Sequence, residues 1–183
     1  MRRFFASILE ILEIAVVAIV AVFVIRSFLV QPFLVSGSSM VPTFENGDYL
    51  LIDELTYRFR IPQRGEVVVF KYPAEPSTYF IKRIIGLPNE RVKLHDGKIT
   101  VFNSGSLLGF SLDEEYLHQP FASNETLEFT LGADEYLVLG DNRLASFDSR
   151  SWGPLKKNGI VGLVRLRLWP VNDFRAFAAP HYR

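Results

Sequence analysis

Residues 36–44 read Ser-Gly-Ser-Ser-Met-Val-Pro-Thr-Phe, a turn rich in hydroxyl groups and containing a glycine. This turn divides the chain, because the longest apolar segment precedes it and strand-like sequence follows it. A serine hydroxyl held in the turn is therefore expected close to a membrane surface, on a domain built from β-strands.

Residues 1–34 predict a single N-terminal transmembrane helix that serves as a membrane anchor. The uncharged run 14–25 is 12 residues long, which is shorter than the ~20 residues needed to cross a bilayer. Arg26 can place its guanidinium at the interface, so the usable span extends toward residue 34. We expect the helix to end near Pro32, because proline disfavours helix at the residue before it. A cleavable secretory signal peptide is the alternative, although no Ala-x-Ala-like site follows the apolar run.

Residues 35–183 predict one mostly β catalytic domain with an antiparallel sheet, since a chain of 183 residues has no room for two substantial domains. Residues 91–101 predict a hairpin around Asp96-Gly97, a pair that supplies the positive φ angles of a two-residue turn. Residues 103–123 are irregular and predict a loop, with a solvated acidic turn at 113–115. The sequence also predicts strands by its β-branched or alternating segments: residues 48–53, 65–72, 79–85, 126–130, 135–139 and 160–169.

Composition excludes several classes of function. Lys and Arg together number 20, as do Asp and Glu, so no basic field exists to attract nucleic acid. The absence of cysteine excludes disulfides, thiol catalysis and thiolate metal sites. His95, His118 and His181 show no spacing typical of a metal site or of a Ser-His pair. We therefore expect no cofactor, no metal and no nucleic-acid partner.

A catalytic serine in residues 36–44 would need a base, because a serine hydroxyl is a poor nucleophile at neutral pH. In isolation, the hydroxyls of such turns usually bond their own backbone. The predicted strand 79–85 supplies a candidate base, since a period of two places Lys82 on the same face as Phe80 and Ile84. Burial on that apolar face would lower the pKa of Lys82 from ~10.4 toward about 7 or 8, so that its amine could accept a proton. A solvated Lys-Arg pair is the alternative.

Three stretches, residues 36–44, 79–88 and 140–154, together resemble bacterial type I signal peptidases. These are membrane-bound Ser-Lys enzymes that remove signal peptides from exported proteins, and the resemblance covers roughly the whole chain. The pattern Ser-Met-x-Pro-Thr implies that Ser39 is the nucleophile. The pattern Ile-Lys-Arg-x-x-Gly-x-Pro implies that Lys82 is the base.

In the third stretch, the resemblance implies that Ser146 orients Lys82. It also implies that Asp148 and Arg150 form a structural ion pair near the site. Leu144 and Ala145 depart from the commonest pattern of the family, in which acidic and amide residues are frequent at these positions. We expect a local change of packing there that leaves the catalytic assignment intact.

The oxyanion hole implied by the resemblance uses the backbone N–H of the nucleophile and a donor two residues earlier. Some members of the family place a serine hydroxyl at that earlier position, where this chain has Gly37. A backbone N–H at Gly37, or the hydroxyl of Ser38 or Ser36, must then serve instead. Loss of one donor can cost roughly 3 to 4 kcal/mol of transition-state stabilisation, and the sequence leaves the choice open.

The function implied by the resemblance is that of a membrane-bound serine endopeptidase, which cleaves N-terminal signal peptides from exported preproteins. The substrate would bind as an extended strand, with small residues one and three positions before the cut. The implied partners are these preproteins and the lipid bilayer, and the export machinery is a further candidate. The implied location is the cytoplasmic (inner) membrane, crossed once, with the catalytic domain on the outer or periplasmic side.

Three alternatives are weighed against this function. A mitochondrial inner-membrane presequence peptidase has similar motifs, and a catalytically inactive, membrane-tethered domain would bind exported chains without cutting them. Self-cleaving repressors share a Ser-Lys site, but they carry a DNA-binding domain, for which this chain has no room. The endoplasmic-reticulum form of the family is not among these three, because it uses histidine where this chain has Lys82.

Overall fold

The computed structural model describes residues 10–20, 30–117, 126–180 and 182. Residues 10–20 are helical, and their large apolar side chains, such as Ile14 and Ile19, are exposed. No helix within the described ranges is both long enough and apolar enough to span a bilayer. Most of the predicted anchor, residues 1–9 and 21–29, lies outside these ranges, so the transmembrane helix stays a prediction.

The rest of the described chain is mostly β-structure, as predicted. Its strands are β1 (Val30–Leu34), β2 (Tyr49–Asp53), β3 (Val67–Tyr72), β4 (Glu75–Gly86), β5 (Arg91–His95), β6 (Lys98–Asn103), β7 (Ser106–Ser111), β8 (Leu127–Thr130), β9 (Glu135–Leu139), β10 (Leu155–Lys156), β11 (Ile160–Trp169) and β12 (Arg175–Ala176). Short α-helical segments cover Thr56–Phe59 and Ser149–Trp152, and 3-10 turns cover Arg143–Ala145, Lys157–Gly159 and Val171–Asp173.

The strands form two antiparallel sheets. The larger has the order β1-β2-β11-β3-β4-β9-β10, with β12 paired to β11, and the smaller has the order β7-β6-β5-β8. β1 comprises the last five residues of the predicted anchor and, among the described strands, pairs only with β2. Pro32 is tolerated in β1 because an edge strand leaves one row of backbone groups without a partner.

One expectation for the smaller sheet was wrong. The predicted loop 103–123 contains β7, which pairs with β6 across an irregularity between Val101 and Asn103. Gly109 in β7 has a φ of 77°, a conformation that glycine adopts easily. Glycine is depleted in strands, so this residue masked the strand in the sequence pattern.

Two apolar cores fix the position of the candidate nucleophile. One lies between the sheets and includes Ile85, Val92 and Leu137. The other packs the turn 36–44 against β2 and β3 through the buried side chains of Met40 and Phe44. Full burial of such side chains contributes about 1.5–3 kcal/mol each, so the turn is held firmly on the larger sheet.

The predicted alternation along β4 is confirmed. Ile81 packs in the core beneath the turn 36–44, whereas Phe80 and Ile84 pack in a third cluster on the opposite face of β4. Lys82 lies on this second face, because side chains alternate along a strand, and it is only 4% exposed. The strand therefore carries Lys82 into the interior of the domain.

The close approach of the two sheets at Gly86 generates a prediction about stability. A methyl group at Gly86 would lie 2.7 Å from Leu131 Cδ1 and 2.8 Å from Val92 Cγ2. Gly86→Ala is expected to lower the free energy of unfolding by about 1–3 kcal/mol, because overpacking forces the neighbours apart. Urea unfolding followed by tryptophan fluorescence measures the change.

Gly105→Ala is the matched control, because a methyl group at Gly105 would meet its nearest atom, Asn103 Oδ1, at an ordinary 3.5 Å. It should leave the free energy of unfolding within about 0.5 kcal/mol of the wild type. Equal unfolding midpoints for the two variants would contradict the predicted close packing at Gly86.

Candidate active site

Ser39 lies in a tight turn that follows β1. The turn is closed by backbone bonds from Phe44 N to Met40 O at 2.9 Å and from Val41 N to Ser38 O at 3.2 Å. The buried side chains of Met40 and Phe44 fasten the turn to the core. Ser39 itself is half-buried and lines a groove, so its hydroxyl is held rigidly and yet remains accessible.

Lys82 and Ser39, which are 43 positions apart in the sequence, are in contact. Lys82 Nζ lies 2.7 Å from Ser39 Oγ and donates a second hydrogen bond to the carbonyl oxygen of Ile81 at 2.8 Å. The amine is 5.4 Å from the centroid of the Phe80 ring. The structure therefore brings together the nucleophile and the base that the sequence analysis assigned to these residues.

The environment of Lys82 changes its acidity. Burial disfavours the ammonium form and lowers the pKa of Lys82 to about 8, although the carboxylates of Asp148 and Asp141 act in the opposite direction. Desolvation by apolar neighbours is the cause that the sequence analysis predicted. An amine with this pKa is partly neutral near neutral pH and can accept a proton.

Asp148 and Arg150 form an ion pair at the base of the turn after β9. Arg150 Nη2 lies 2.8 Å from Asp148 Oδ2, which also accepts the backbone N–H of Gly140 at 3.0 Å. Burial alone would raise the pKa of Asp148, but Arg150 and the Gly140 N–H outweigh it and hold the pKa below its usual value. Arg150 also donates to the carbonyl oxygen of Arg143 at 2.8 Å, so the pair joins both ends of this turn.

The structure places Ser146 beside Gly140 and the nucleophile. A methyl group at Gly140 would overlap both Ser146 Oγ and the carbonyl oxygen of Ser39. Ser146 Oγ is buried beside Asp148, where it helps Arg150 to hold the pKa of that carboxyl below its usual value. It forms no hydrogen bond of standard geometry within the described ranges. The two hydrogen bonds of Lys82 Nζ go to Ser39 and Ile81 instead, so the predicted bond between Ser146 and Lys82 is not formed in this geometry.

A buried ion pair that the sequence analysis missed joins the three motif stretches. Asp141 accepts hydrogen bonds from Arg83 Nε at 2.8 Å, from Arg83 Nη2 at 2.6 Å and from Thr43 Oγ1 at 2.5 Å. Arg83 and Asp141 are 4% and 3% exposed. Arg83 lies in an otherwise apolar strand, where a buried cation requires an anionic partner. This requirement could have indicated the ion pair from the sequence. Removal of one partner of such a pair typically costs about 3–5 kcal/mol.

A second missed pair involves Glu114, which was expected to lie in a solvated acidic turn. Glu114 instead forms a buried salt bridge with Arg143. Arg143 Nε also donates to the carbonyl oxygen of Gly140 at 3.0 Å. Asp113 and Glu115 are exposed as expected, and the expectation was wrong only for Glu114. Arg143 lies 29 positions away in the sequence and is buried, so its charge must be neutralised by a partner that no local pattern identifies.

Leu144 and Ala145 belong to the 3-10 turn Arg143–Ala145, which is capped by the side chain of Asn142. Leu144 is 69% exposed, and Ala145 lines the groove beside Ser39. The side chain of Asn142 also donates to the carbonyl oxygen of Ser38 at 3.1 Å. Leu144 and Ala145 thus lie in a turn that is hydrogen-bonded, through Asn142, to the nucleophile turn, residues 36–44.

The candidate oxyanion donors differ in their present partners. Gly37 has a φ of 99°, and its N–H donates to Asn46 Oδ1 at 2.9 Å. Ser36 and Ser38 are exposed and line the groove. The N–H of Gly37 is therefore already engaged, whereas Ser36 and Ser38 are exposed residues of the groove lining.

The groove at Ser39 has a volume of about 350 Å³. One wall is residues 33–39 and the other is residues 79–82, with Ala145 and Phe147 at the rim. The rings of Phe33 and Tyr79 meet edge to face, with centroids 5.5 Å apart, and join the two walls. Three apolar side chains also line the groove: Leu50, Val69 and Ile81. Among the described residues no cluster of acidic or histidine side chains could hold a metal ion.

The chain matches known proteins over most of its length. The family model described as signal peptidase, peptidase S26, matches residues 8–169. A crystal structure of a signal peptidase I from Enterococcus faecalis V583 aligns with 57% of this chain and 97% of that chain, at 30% identity and a TM-score of 0.48.

Two relatives are similar in sequence. Signal peptidase I of Leptolyngbya laminosa is 37% identical over 164 residues, which cover 85% of this chain and 77% of that protein. Probable signal peptidase I-2 of Synechocystis sp. is 40% identical over 153 residues, which cover 80% of this chain and 66% of that protein. The matched family model and these identities show that the chain belongs to the signal peptidase family, peptidase S26.

Proposed function

We propose that this protein is a membrane-bound serine endopeptidase that cleaves N-terminal signal peptides from exported preproteins. The observation that carries the proposal is the contact between Ser39 and Lys82, a serine hydroxyl 2.7 Å from a buried amine. The names of the similar proteins, signal peptidase I and probable signal peptidase I-2, support the substrate class.

The proposed reaction begins when neutral Lys82 accepts the proton of Ser39 while Ser39 Oγ attacks the scissile carbonyl carbon. The resulting oxyanion accepts a bond from the backbone N–H of Ser39 and a second bond from the hydroxyl of Ser38 or Ser36. The C–N bond then breaks, and the Lys82 ammonium gives its proton to the leaving amine. Lys82, neutral again, activates water against the acyl-enzyme, which restores Ser39 and releases the signal peptide.

Ser146 is proposed to orient Lys82 during this cycle. A neutral amine has two N–H donors and one lone pair. When the lone pair faces the Ser39 hydroxyl, one N–H is used by the carbonyl oxygen of Ile81 and the other needs an acceptor. Ser146 Oγ is a nearby buried hydroxyl beside the Asp148 carboxylate. When its O–H points to that carboxylate, its lone pairs are left to accept from Lys82, and a hydroxyl adds no charge that would raise the pKa of Lys82.

The substrate is proposed to bind as an added β-strand. β1 is the edge of the larger sheet, and β9 pairs with β4 only between Arg83 and Gly86. Among the described strands, none pairs with residues 79–82 on the side away from β3, although the carbonyl oxygen of Ile81 accepts a hydrogen bond from Lys82 Nζ. An extended peptide between these two edges can form main-chain bonds with both, and the family resemblance implies small side chains one and three positions before the cut.

The membrane anchor is proposed to be residues 1–29, with the domain that begins at β1 on the outer side of the cytoplasmic membrane. In support, the run 14–25 is uncharged. Ile11, Ile14 and Ile19 are 68%, 70% and 68% exposed on the helical residues 10–20. Such a concentration of exposed apolar side chains is expected where lipid replaces protein as the neighbour.

Substitution of either dyad residue tests the proposed function. Ser39→Ala and Lys82→Ala are each expected to lower kcat by at least about a thousandfold, because the residues of a nucleophile-base unit act together. The measurement is cleavage of a test preprotein by the detergent-solubilised protein, with circular dichroism to verify folding. Lys71→Ala is the matched control, because Lys71 is an exposed lysine on the neighbouring strand β3.

Two outcomes would contradict the proposed endopeptidase function. Cleavage that survives the loss of Ser39 or Lys82 would refute the dyad mechanism. A folded wild type that binds the preprotein without cutting it would favour the inactive, membrane-tethered binding domain.

The pH dependence of turnover follows from the protonation of Lys82. Only the neutral amine can accept the Ser39 proton, so kcat/KM is expected to rise with pH and level off above the pKa of about 8. Below that pKa the rate should fall about tenfold for each pH unit. Initial rates between about pH 6 and 10 measure this profile. A rate that does not change between about pH 7 and 9 would contradict the assignment of Lys82 as the base.

Ser146→Ala tests the orienting role. Lys82 becomes a charged ammonium when it takes the Ser39 proton, and a hydrogen bond to a charged group contributes about 1.5–3 kcal/mol. Loss of the Ser146 acceptor should therefore lower kcat roughly 10- to 150-fold. KM should change little, because Ser146 is absent from the groove lining. Ser151→Ala, at an exposed serine in the following helical segment, is the control. Wild-type kcat in Ser146→Ala would refute the role.

A further inference from the structure

The C-terminal tail, residues 170–180 and 182, follows the last residue of the family match. β12 pairs with β11, and the N–H of Phe177 donates to the carbonyl oxygen of Arg165 at 2.9 Å. From there the tail crosses the side of the domain behind the Ser39 turn, where it makes two separate contacts with groups that support the active site.

The first contact is made by Phe177. Its ring packs on the ring of Phe44, with centroids 4.5 Å apart, and Phe44 is fully buried one turn after Ser39. The guanidinium of Arg167 lies 5.5 Å from both ring centroids and donates to the carbonyl oxygen of Thr43. Phe177 thus closes the apolar core from which the nucleophile turn projects.

The second contact is made by Tyr182. Its hydroxyl lies 3.3 Å from the hydroxyl of Tyr116, and the guanidinium of Arg83 stacks 4.1 Å from the centroid of the Tyr116 ring. Arg83 binds Asp141, which also accepts the hydroxyl of Thr43. Through these successive contacts, the tail is linked to the Arg83–Asp141 ion pair, which joins β4 to the nucleophile turn.

The tail also borders a cavity. A cavity of about 200 Å³ lies beside it, and its lining includes Val67, Arg83 and Phe177. Pro180 covers Gly65 so closely that a methyl group there would lie 2.7 Å from Pro180 Cδ. Phe177 therefore packs against the core on one side and borders the cavity on the other.

We propose that the C-terminal tail positions the nucleophile, with the Phe177 ring holding the Ser39 turn at hydrogen-bond distance from Lys82. The inference rests on the proposed function, since it concerns the geometry of that reaction. Removal of the ring would let Phe44 and the turn relax into the vacated space. A displacement of about 1 Å between reacting groups can cost about a hundredfold in rate.

The test makes the same change, phenylalanine to alanine, at two positions of the tail in the detergent-solubilised 183-residue protein. Phe177→Ala is expected to lower kcat about 10- to 100-fold with KM nearly unchanged, and Phe177→Leu should recover most of the loss because it refills the core. Phe174→Ala is the matched control, because Phe174 lies in the same tail but is 58% exposed. It should retain the wild-type kcat.

A second measurement separates positioning from stability. A relaxed turn would admit water to Lys82, whose charged neighbours Asp148 and Asp141 are not altered by the variant. The pKa of Lys82, followed by ¹⁵N NMR of Nζ, should then rise from about 8 toward the free value of ~10.4. The rising limb of the kcat/KM profile should move to higher pH by the same amount.

Each outcome decides the proposal. An unchanged Lys82 pKa and kcat in Phe177→Ala would overturn it. So would an activity loss that is the same fraction at every pH and follows the folded fraction in thermal unfolding, since the tail would then only stabilise the domain. A wild type without turnover would refute the proposed function, while the NMR titration would still test the tail.

Discussion

A lysine amine kept out of water is the constraint on which the rest of the site depends. Lys82 can be a base near neutral pH only while its surroundings disfavour the ammonium form, and two carboxylates nearby act against this. Each carboxylate has its own cation, Arg150 for Asp148 and Arg83 for Asp141. The ion pairs therefore do more than stabilise the fold. Removal of either arginine would leave an uncompensated negative charge near Lys82 and raise the pKa of Lys82.

The need for a neutral Lys82 explains why two adjacent basic residues on β4, Lys82 and Arg83, have different surroundings. Alternation places Lys82 against Phe80 and Ile84, while Arg83 points to the other face and meets Asp141. The guanidinium stays charged and binds both carboxylate oxygens, which a lysine could not do in that geometry. The same residue that neutralises Asp141 also links β4 to Thr43 in the nucleophile turn, so electrostatics and positioning come from one contact.

Local periodicity made the face of Lys82 and the Asp96-Gly97 hairpin predictable, because both depend on neighbours in the sequence. The Arg83–Asp141 pair joins residues 58 positions apart, and nothing local indicates which acid meets which base. β1 was assigned to the anchor because a short apolar segment fits either a helix or a strand. The partner of Ser146 depends on side-chain rotation and on the protonation of Lys82, neither of which a motif specifies.

In the proposed function, the groove between β1 and β4 is the position that a substrate strand would occupy. Exposed sheet edges invite pairing with other chains, and proteins usually protect them. Here residues of β1 and β4 line the same groove, and their Phe33 and Tyr79 rings are in contact. In the proposed function, a preprotein completes the pairing through its own backbone, so most of the recognition is independent of its side chains. Specificity is then left to steric exclusion, which rejects large residues beside the cut and tolerates wide variation elsewhere. One rigid dyad can in this way serve many exported chains.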